Sequence, residues 1–281
     1  NLGTGRTAVS VDLGNEHTCA ILDDDKVKCW GNNGEGQLGT GANAGSWSSP
    51  QNTPILGDFV PTSIVLGVGT SCIVLSDTSI KCWGENNFGQ IDSYHLNDVR
   101  NPKHIGTKIN SNVQQISAGS SHNCLIFMDD KLRCLGYGSS GQLGLGTYSD
   151  INQPSIVNLG IGKTATSVIS GVQHSCAILG DGSLKCWGKN NFGQLGDGTI
   201  QDKLTPQLVD LGVGRTAVSV SLGKAHTCAI LDDGSLKCWG WNTYGQLGIG
   251  SFTSQNTPQL VNFGVGINAV SVSLGNLHSC V

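Results

Sequence analysis

The sequence predicts an all-β fold made of repeated four-stranded units. Three observations support this: cysteines recur at intervals of 52 or 53 residues, the 281-residue chain contains 41 glycines, and no segment shows the sustained apolar period of an amphipathic helix. Repeats of about 40–50 residues with four short strands are typical of the blades of a β-propeller. We therefore expect β-propeller blades, with few helices.

The fifth repeat shows the four expected strands most clearly. Ala217–Leu222 alternates apolar and polar side chains, as a half-buried strand does. His226–Leu231 and Leu236–Trp239 are rich in strand-forming residues and lie on either side of a turn at Asp232–Gly234. A short fourth strand is expected at Gln259–Val261, after a glycine-rich loop.

The periodicity places five complete repeats and the first half of a sixth in this chain. The first 20 residues match the last 20, so both ends carry the same half-repeat and cannot complete one another's blade. We therefore expect part of a longer chain; the alternative is an open array that a neighbouring molecule completes. The expected repeats cover about residues 1–57, 58–105, 106–157, 158–209, 210–261 and, for the partial one, 262–281.

The cysteines are spaced for disulfide bonds across hairpins. A three-residue loop at Asp232–Gly234, with glycine in the left-handed position, would pair Leu231 with Ser235 and place Cys228 opposite Cys238. By alternation from the loop, this pair is not hydrogen-bonded, so its Cα atoms approach closely enough for a disulfide. The expected bridges are Cys19–Cys29, Cys72–Cys82, Cys124–Cys134, Cys176–Cys186 and Cys228–Cys238, leaving Cys280 unpaired.

Two other interpretations of the cysteines remain open at this point. They could be five pairs of buried free thiols, or thiolate ligands of a metal ion, although the C-x₂-C spacing of zinc sites is absent from the sequence. Disulfide bonds form and persist in oxidising compartments. The cysteine pairs therefore predict an extracellular or cell-surface location.

Charge and hydropathy argue against two kinds of surface. The chain carries 16 Lys and Arg against 20 Asp and Glu, a net charge of −4, whereas nucleic-acid and anionic-membrane surfaces need a basic stripe. No apolar run approaches the ~18 residues of a membrane-spanning helix. We therefore expect neither a nucleic-acid partner nor membrane insertion.

The repeated motif resembles that of a known family. It reads G-x-x-H-[ST]-C-A-I-L-x-D-G-S-L-K-C-W-G-x-N-x-[FY]-G-Q-L-G-x-G, and its most specific stretch is Cys238–Gly250. This unit resembles the repeat of the RCC1-like (regulator of chromosome condensation) propellers over essentially the whole chain, residues 1–281. The resemblance implies a ring of four-stranded blades, usually seven, closed by strands from both chain ends. The cysteine pairs resemble a secreted branch of the family, since the nuclear members lack them.

Departures from the motif predict a contact surface. The first repeat inserts five residues, including Trp47, into the loop before Pro54, and an added exposed Trp is a common interface anchor. The alternative is a tolerated insertion with Trp47 folded onto the blade edge. The second repeat replaces Gly-Gln-Leu-Gly with Gly-Gln-Ile-Asp and continues through Tyr94 and His95, and the fifth carries Trp241 at a variable position. The candidate contact residues are Trp47, Tyr94, His95 and Trp241.

The repeated histidines and tryptophans are expected to be structural. Equivalent histidines would lie about one blade apart, too far for one metal ion, so each is expected to hydrogen-bond a backbone group at the start of its strand. The tryptophans after the second cysteine are expected to pack blade against blade. No metal ion or cofactor is expected. The residues concerned are His17, His122, His174, His226 and His278, with Trp30, Trp83, Trp187 and Trp239.

Two functional interpretations fail on sequence context. Gly212–Ala217 has the letters of a dinucleotide-binding loop but leads into a strand, whereas such a loop must open a helix. The plant photoreceptor branch of the family has Trp within its Gly-x-x-His-Thr segments. This chain has Asn15, Glu16, Lys224 and Ala225 at those places, so a photoreceptor of that kind is not expected.

The predicted function is binding rather than catalysis. The sequence lacks the G-x-S-x-G and H-E-x-x-H motifs, and nothing in it brings a catalytic group together. We expect an extracellular or cell-surface binding or structural module of a larger protein or fibre. Its partner would be a protein, a glycan or a copy of itself. Two alternatives are a guanine-nucleotide exchange factor, which the resemblance to the founding family member suggests, and a secreted propeller that inhibits an enzyme.

Overall fold

All regular elements among the described residues are β-strands, as the sequence predicts. The computed structural model describes residues 2–42, 45–55, 57–91, 95–105 and 113–281. The strands form five four-stranded antiparallel sheets and one two-stranded sheet, with neighbours in chain order. The chain divides into two compact units: Asn1–Asp129 with Arg133–Tyr137 and Asp150–Ser155, and Asp130–Leu132 with Gly138–Ser149 and Ile156–Val281.

The first unit holds the first two sheets and most of the third. In each sheet the second and third strands form a central hairpin, and the first and fourth strands flank it. The strands are β1 (Ala8–Leu13), β2 (His17–Leu22), β3 (Val27–Asn32), β4 (Ser46–Thr53), β5 (Pro61–Leu66), β6 (Thr70–Leu75), β7 (Ile80–Gly84), β8 (Val99–His104), β9 (Val113–Ala118), β10 (His122–Phe127), β11 (Leu132–Gly136) and β12 (Ile151–Ile156).

The second unit holds two complete sheets and the two-stranded one. The last sheet contains the first two strands of the sixth repeat, in shortened form. The strands are β13 (Ala165–Ser170), β14 (His174–Leu179), β15 (Leu184–Gly188), β16 (Lys203–Leu208), β17 (Ala217–Leu222), β18 (His226–Leu231), β19 (Leu236–Gly240), β20 (Gln255–Leu260), β21 (Ser273–Leu274) and β22 (Ser279–Cys280).

The hairpin turn between the second and third strands has the predicted conformation. In the fourth and fifth repeats its third residue is a left-handed glycine, Gly182 (φ 77°) or Gly234 (φ 78°). The first three repeats place Asp25, Thr78 and Asp130 there, with φ of 62°, 65° and 58°. A side chain disfavours this region, most of all when it is β-branched. The turn at Thr78 is therefore strained.

The structure joins all five predicted cysteine pairs as disulfides. In each pair the Cα atoms are 4.1 Å apart, because the two cysteines face each other across the hairpin, as Cys228 faces Cys238. This is the narrow, non-hydrogen-bonded position of an antiparallel ladder. Cys280 is free and exposed on β22, opposite Ser273.

The core of each unit lies along the second and third strands. β14 and β18 are buried along their whole length, whereas the fourth strands β16 and β20 are partly exposed. In the second unit Trp239 packs with Leu195 and Val209 of the preceding repeat, and in the first unit Trp83 packs with Leu38. Trp83 and Trp239 therefore pack repeat against repeat, whereas Trp30 of the first repeat is only half-buried. No helix among the described residues is long and apolar enough to cross a membrane.

The fourth strand of the fifth repeat begins earlier than predicted. β20 starts before Pro258 and includes it, whereas the sequence predicts a strand at Gln259–Val261. The register between β19 and β20 shifts between Cys238 and Gly240, and this irregularity accommodates a proline that has no N–H to donate. β20 is an edge strand, the position in a sheet where proline is tolerated.

The strand register also corrects the insertion predicted in the first repeat. Gln51 pairs with the second cysteine of its repeat, just as Gln259 does in the fifth. Pro50, rather than Pro54, is therefore the counterpart of the proline in later repeats. The first repeat gains one residue before this proline instead of five. Trp47 consequently belongs to β4 itself and not to a long loop.

Candidate protein-binding surface

A buried asparagine holds the loop after the third strand in four of the five repeats. In the fifth repeat, Asn242 Oδ1 accepts a hydrogen bond from Leu247 N at 2.9 Å, and Asn242 Nδ2 donates to the carbonyl of Ser251 at 2.8 Å. Gln246 Oε1 accepts from Tyr244 N at 3.0 Å. These bonds give the exposed loop residues a rigid support. The equivalent asparagines are Asn33, Asn86 and Asn190.

A polar network joins successive repeats beneath this loop. In the second unit His174 Nε2 lies 3.0 Å from Thr227 Oγ1, which donates to the carbonyl of Gln194 at 2.8 Å. The same carbonyl accepts the indole N–H of Trp239 at 3.0 Å. The first unit repeats the arrangement with His17, Ser71, Gln37 and Trp83.

The histidine partner corrects one prediction. The ring of His17 does not bond to a backbone group of its own strand: it reaches the hydroxyl of Ser71 in the next repeat, at 2.8 Å. Burial disfavours the charged imidazolium and lowers the pKa of His17, His122 and His226 to about 4. These rings are therefore neutral at neutral pH, and those of His17 and His226 join neighbouring sheets through Ser71 and Ser279. Among the described residues, no group of three or more His, Cys, Asp or Glu is placed to hold a metal ion.

Three aromatic side chains from consecutive loops form a cluster in the second unit, here called the aromatic cluster. The rings of Phe192 and Trp241 stack with centroids 5.2 Å apart, and Tyr244 meets Trp241 edge-on at 5.4 Å. The indole N–H of Trp241 donates to Thr243 Oγ1 at 2.7 Å, which orients the ring. Phe192 is 36% exposed and Tyr244 63% exposed. Oriented, exposed Trp and Tyr side chains are typical anchors of protein interfaces.

The first unit has different side chains at the equivalent positions. Phe88 and Tyr137 form an aromatic pair with centroids 4.6 Å apart. One repeat earlier the equivalent residues are Glu35 and Glu85, with Asp98 close to both. A hydrogen bond to Asp98 raises the pKa of Glu35, and burial raises the pKa of Glu85. The same loop position therefore supplies an acidic group in one repeat and aromatic contacts in others.

The predicted contact residues lie on separate elements. Trp241 belongs to the aromatic cluster of the second unit. In the first unit, Trp47 is 38% exposed on β4, and His95 is exposed in the loop before β8, where its carbonyl accepts a hydrogen bond from Asn86 Nδ2. Tyr94 lies outside the described residues. Within the described part of the chain, Trp241 alone among the predicted contact residues has aromatic partners.

The motif alone does not mark Phe192 and Tyr244 as contact residues, because both occupy its ordinary [FY] position. The useful signal is a comparison of neighbouring repeats. Two of the three described ring pairs join the [FY] position of one repeat to the variable position three residues after the second cysteine of the next, as Phe192 joins Trp241 and Phe88 joins Tyr137. Aromatic residues at both positions of successive repeats would have predicted the cluster.

Comparison with known proteins identifies a matching family and several similar proteins. A family model described as RCC1-like domain matches residues 2–281. The ultraviolet-B receptor UVR8 of Arabidopsis thaliana is 30% identical over 276 residues, which cover 98% of this chain but 62% of UVR8. The structure of Prp20p from Saccharomyces cerevisiae, 18% identical, has a TM-score of 0.83 over 98% of this chain and 68% of Prp20p. The CRINKLY WD40 ectodomain of the Arabidopsis thaliana receptor kinase ACR4, 19% identical, has a TM-score of 0.58 over 98% of this chain and 75% of that one.

Proposed function

The chain belongs to the RCC1-like domain family, and from this premise we propose that it is an extracellular, non-catalytic module that binds a protein partner through the aromatic cluster. The observation that carries the proposal is the stack of exposed Phe192, half-buried Trp241 and exposed Tyr244 on loops held by buried hydrogen bonds. Rigid aromatic side chains lose little conformational entropy on binding and contribute much of the free energy at interfaces.

The disulfides support the extracellular part of the proposal. Five bridges in one chain are typical of proteins that fold in an oxidising compartment. The similar structure from ACR4 is described as the ectodomain of a receptor kinase, so this fold also occurs outside the cell. Prp20p is described with its binding properties to Gsp1p and histones, which supports protein binding by members of this fold.

The polar edge of the aromatic cluster favours a protein over a glycan. A sugar stacked on an indole needs free donors and acceptors around the ring for its hydroxyl groups, but the N–H of Trp241 is already bonded to Thr243 Oγ1. Phe192 covers one face of Trp241, so the exposed ring of Tyr244 and the remaining accessible surface of Trp241 are available for apolar contact. We therefore propose a partner that presents an apolar or guanidinium-bearing side chain to these rings.

A crosslinker placed in the cluster tests the binding function. Tyr244 is replaced by a photoreactive phenylalanine derivative and the protein is irradiated with the secreted proteins of its source organism. We expect one crosslinked species whose yield falls when Trp241→Ala is added. The matched control carries the crosslinker at Phe252, a ring 73% exposed in the same repeat. Equal yields from both positions, or a yield unaffected by Trp241→Ala, would exclude the aromatic cluster as the binding surface.

Alkylation of the unreduced native protein tests the compartment. Iodoacetamide should label one cysteine per chain, Cys280, because the other ten are in disulfides. Intact mass before and after reduction counts the labels and the bridges. More than one label on the unreduced protein would contradict an extracellular location.

A further inference from the structure

The contact between the second and third repeats, here called the second–third joint, differs from the contacts between other repeats. In the first–second joint the indole N–H of Trp83 and the hydroxyl of Ser71 both donate to the carbonyl of Gln37, each at 2.8 Å. In the second unit the carbonyls of Gln142 and Gln194 accept the same two kinds of bond. These three joints therefore share one polar arrangement.

Four positions of this arrangement change together at the second–third joint. In the other joints a glycine touches the indole: a Cβ built on Gly39 would lie 2.8 Å from Trp83 Nε1. The second–third joint has neither the tryptophan nor this glycine. The replacements are Thr70 for His, Asn123 for Ser or Thr, Leu135 for Trp and Asp92, which lies outside the described residues, for Gly. The change therefore affects the whole arrangement rather than one side chain.

Hydrogen bonding across the second–third joint is incomplete. Asn123 Nδ2 donates to the carbonyl of Gln90 at 2.9 Å, and the side chain of Leu135 has no N–H to supply the second bond. Asn123 Oδ1 and Gln90 Nε2 have no hydrogen-bond partner, and both residues are 0% exposed. Buried polar atoms without partners destabilise the closed joint, because water would bond to them once the joint opens.

The apolar part of the joint is also smaller. Leu135 is fully buried and packs with Ile91 and Ile116. One repeat earlier, the larger Trp83 packs with the equivalent Leu38 and Ile64. Leucine has fewer than half of the side-chain atoms of tryptophan, so it buries less apolar surface between the two repeats. This position therefore contributes less to holding the second and third repeats together.

Other contacts close the joint at its two ends. At one end the rings of Phe88 and Tyr137 lie 4.6 Å apart, centroid to centroid, and both are half-buried. At the other end Val113 N donates to the carbonyl of Thr78 at 3.2 Å. This is the residue held at positive φ in the hairpin turn of the second repeat. One end of the joint therefore depends on a ring pair and the other on a strained turn.

We propose that the second–third joint is an opening point built into the first unit. The third repeat separates from the second there more readily than the second separates from the first. Opening parts Phe88 from Tyr137 and gives water access to Gln90, Asn123 and Leu135. The incomplete hydrogen bonds and the missing indole lower the free energy of this opening. The proposal does not depend on the aromatic cluster, which lies in the second unit.

Labelling of an introduced buried thiol measures how often each joint opens. Ile64→Cys, Ile116→Cys and Val220→Cys place a thiol at the same position of the first strand in three repeats, where the native side chains are 5%, 3% and 7% exposed. Each variant also carries Cys280→Ser, so the introduced thiol is the one free thiol beside the five disulfides. Intact mass follows labelling by iodoacetamide under native conditions.

We expect Ile116→Cys to be labelled about tenfold faster than the other two variants, since its joint lacks one hydrogen bond and an indole. Rates are divided by those of the unfolded proteins, which removes differences in thiol reactivity. Low concentrations of denaturant distinguish local opening, whose rate hardly changes, from global unfolding, which accelerates. Equal rates at the three positions, or labelling of Ile116→Cys only through global unfolding, would overturn the proposal.

A repaired joint tests the cause of the opening. Asp92→Gly, Asn123→Ser and Leu135→Trp together restore three residues of the first–second joint, and they should slow labelling of Ile116→Cys to the rate of Ile64→Cys. Leu135→Trp alone is the control and should not slow labelling, because the indole lacks its glycine. Labelling that stays fast in the repaired variant would show that these replacements do not cause the opening. The comparison of the three thiols needs no repaired variant, so it remains decisive even when that variant does not fold.

Discussion

The ring of Phe192 lies 5.2 Å, centroid to centroid, from the indole of Trp241, and the two planes are inclined by 27°. The two residues come from loops of successive repeats and occupy different positions of the motif. Each loop is held by its own buried asparagine, Asn190 or Asn242. The stack therefore depends on how two neighbouring sheets pack, and it presents a preformed apolar surface to solvent.

Trp241→Ala should abolish most partner binding without unfolding the protein. An anchor of this kind contributes about 2 kcal/mol, roughly a thirtyfold change in Kd. The midpoint of thermal unfolding should change little, because Trp241 is only half-buried and contacts surface rings rather than the core. Affinity for the crosslinked partner is measured by calorimetry, with Phe252→Ala as the matched control. A loss of affinity equal in both variants would contradict a specific role of Trp241.

The Cys228→Ala/Cys238→Ala double variant should be less stable by about 2–3 kcal/mol, because the bridge restricts the unfolded chain over a short loop. Denaturant unfolding measures the change in free energy. Cys280→Ser is the control and should leave stability unchanged, since Cys280 is free and exposed. If the free energy of unfolding of the double variant equals that of wild type, the Cys228–Cys238 disulfide does not stabilise the protein.

Thr78→Gly should stabilise the protein by about 1 kcal/mol. Glycine removes the strain of a β-branched residue at positive φ, and the greater conformational entropy of glycine in the unfolded chain offsets part of this gain. The reverse change, Gly182→Thr, should destabilise by about 2 kcal/mol. At Gly182 φ is 77°, and a Cβ would meet Thr216 Cβ at 2.6 Å. Equilibrium unfolding measures the free energy of unfolding of both variants. If both substitutions destabilise the protein, Thr78 is not strained.

Stability should fall as Glu35 and Glu85 ionise, because the pKa of each is raised in the folded protein. The pKa of Glu35 is raised above 4.5, so its folded form binds protons more tightly than its unfolded form. The contribution to stability is therefore fully present below about pH 4.5 and lost as pH rises through the folded-state pKa. Glu35→Gln keeps a donor for Asp98 without the charge.

The Glu35→Gln protein should melt at the same temperature as wild type near pH 4 and at a higher temperature near pH 7. Calorimetric scans between these pH values measure the difference. Asp58→Asn, which removes an exposed carboxylate of the same unit, is the control for the change in net charge. A parallel shift of the Glu35→Gln curve at every pH would mean that protonation of Glu35 is not involved.

Local sequence was sufficient for the features that lie within one hairpin. The loop Asp232–Gly234 sets the register of β18 against β19, and this register places Cys228 opposite Cys238. The repeat length and motif likewise predicted four-stranded sheets and tryptophans that pack repeat against repeat. In these cases the interacting residues are few positions apart, or their equivalence follows from the period alone.

The tertiary structure decided the contacts between repeats. The period shows that His17 and Ser71 are in equivalent units, but only the packing of adjacent sheets brings the imidazole to the hydroxyl. The same holds for the stack of Phe192 on Trp241. These contacts depend on the rotation and spacing of one sheet against the next. Side-chain packing across the whole interface sets that geometry, and no local pattern encodes it.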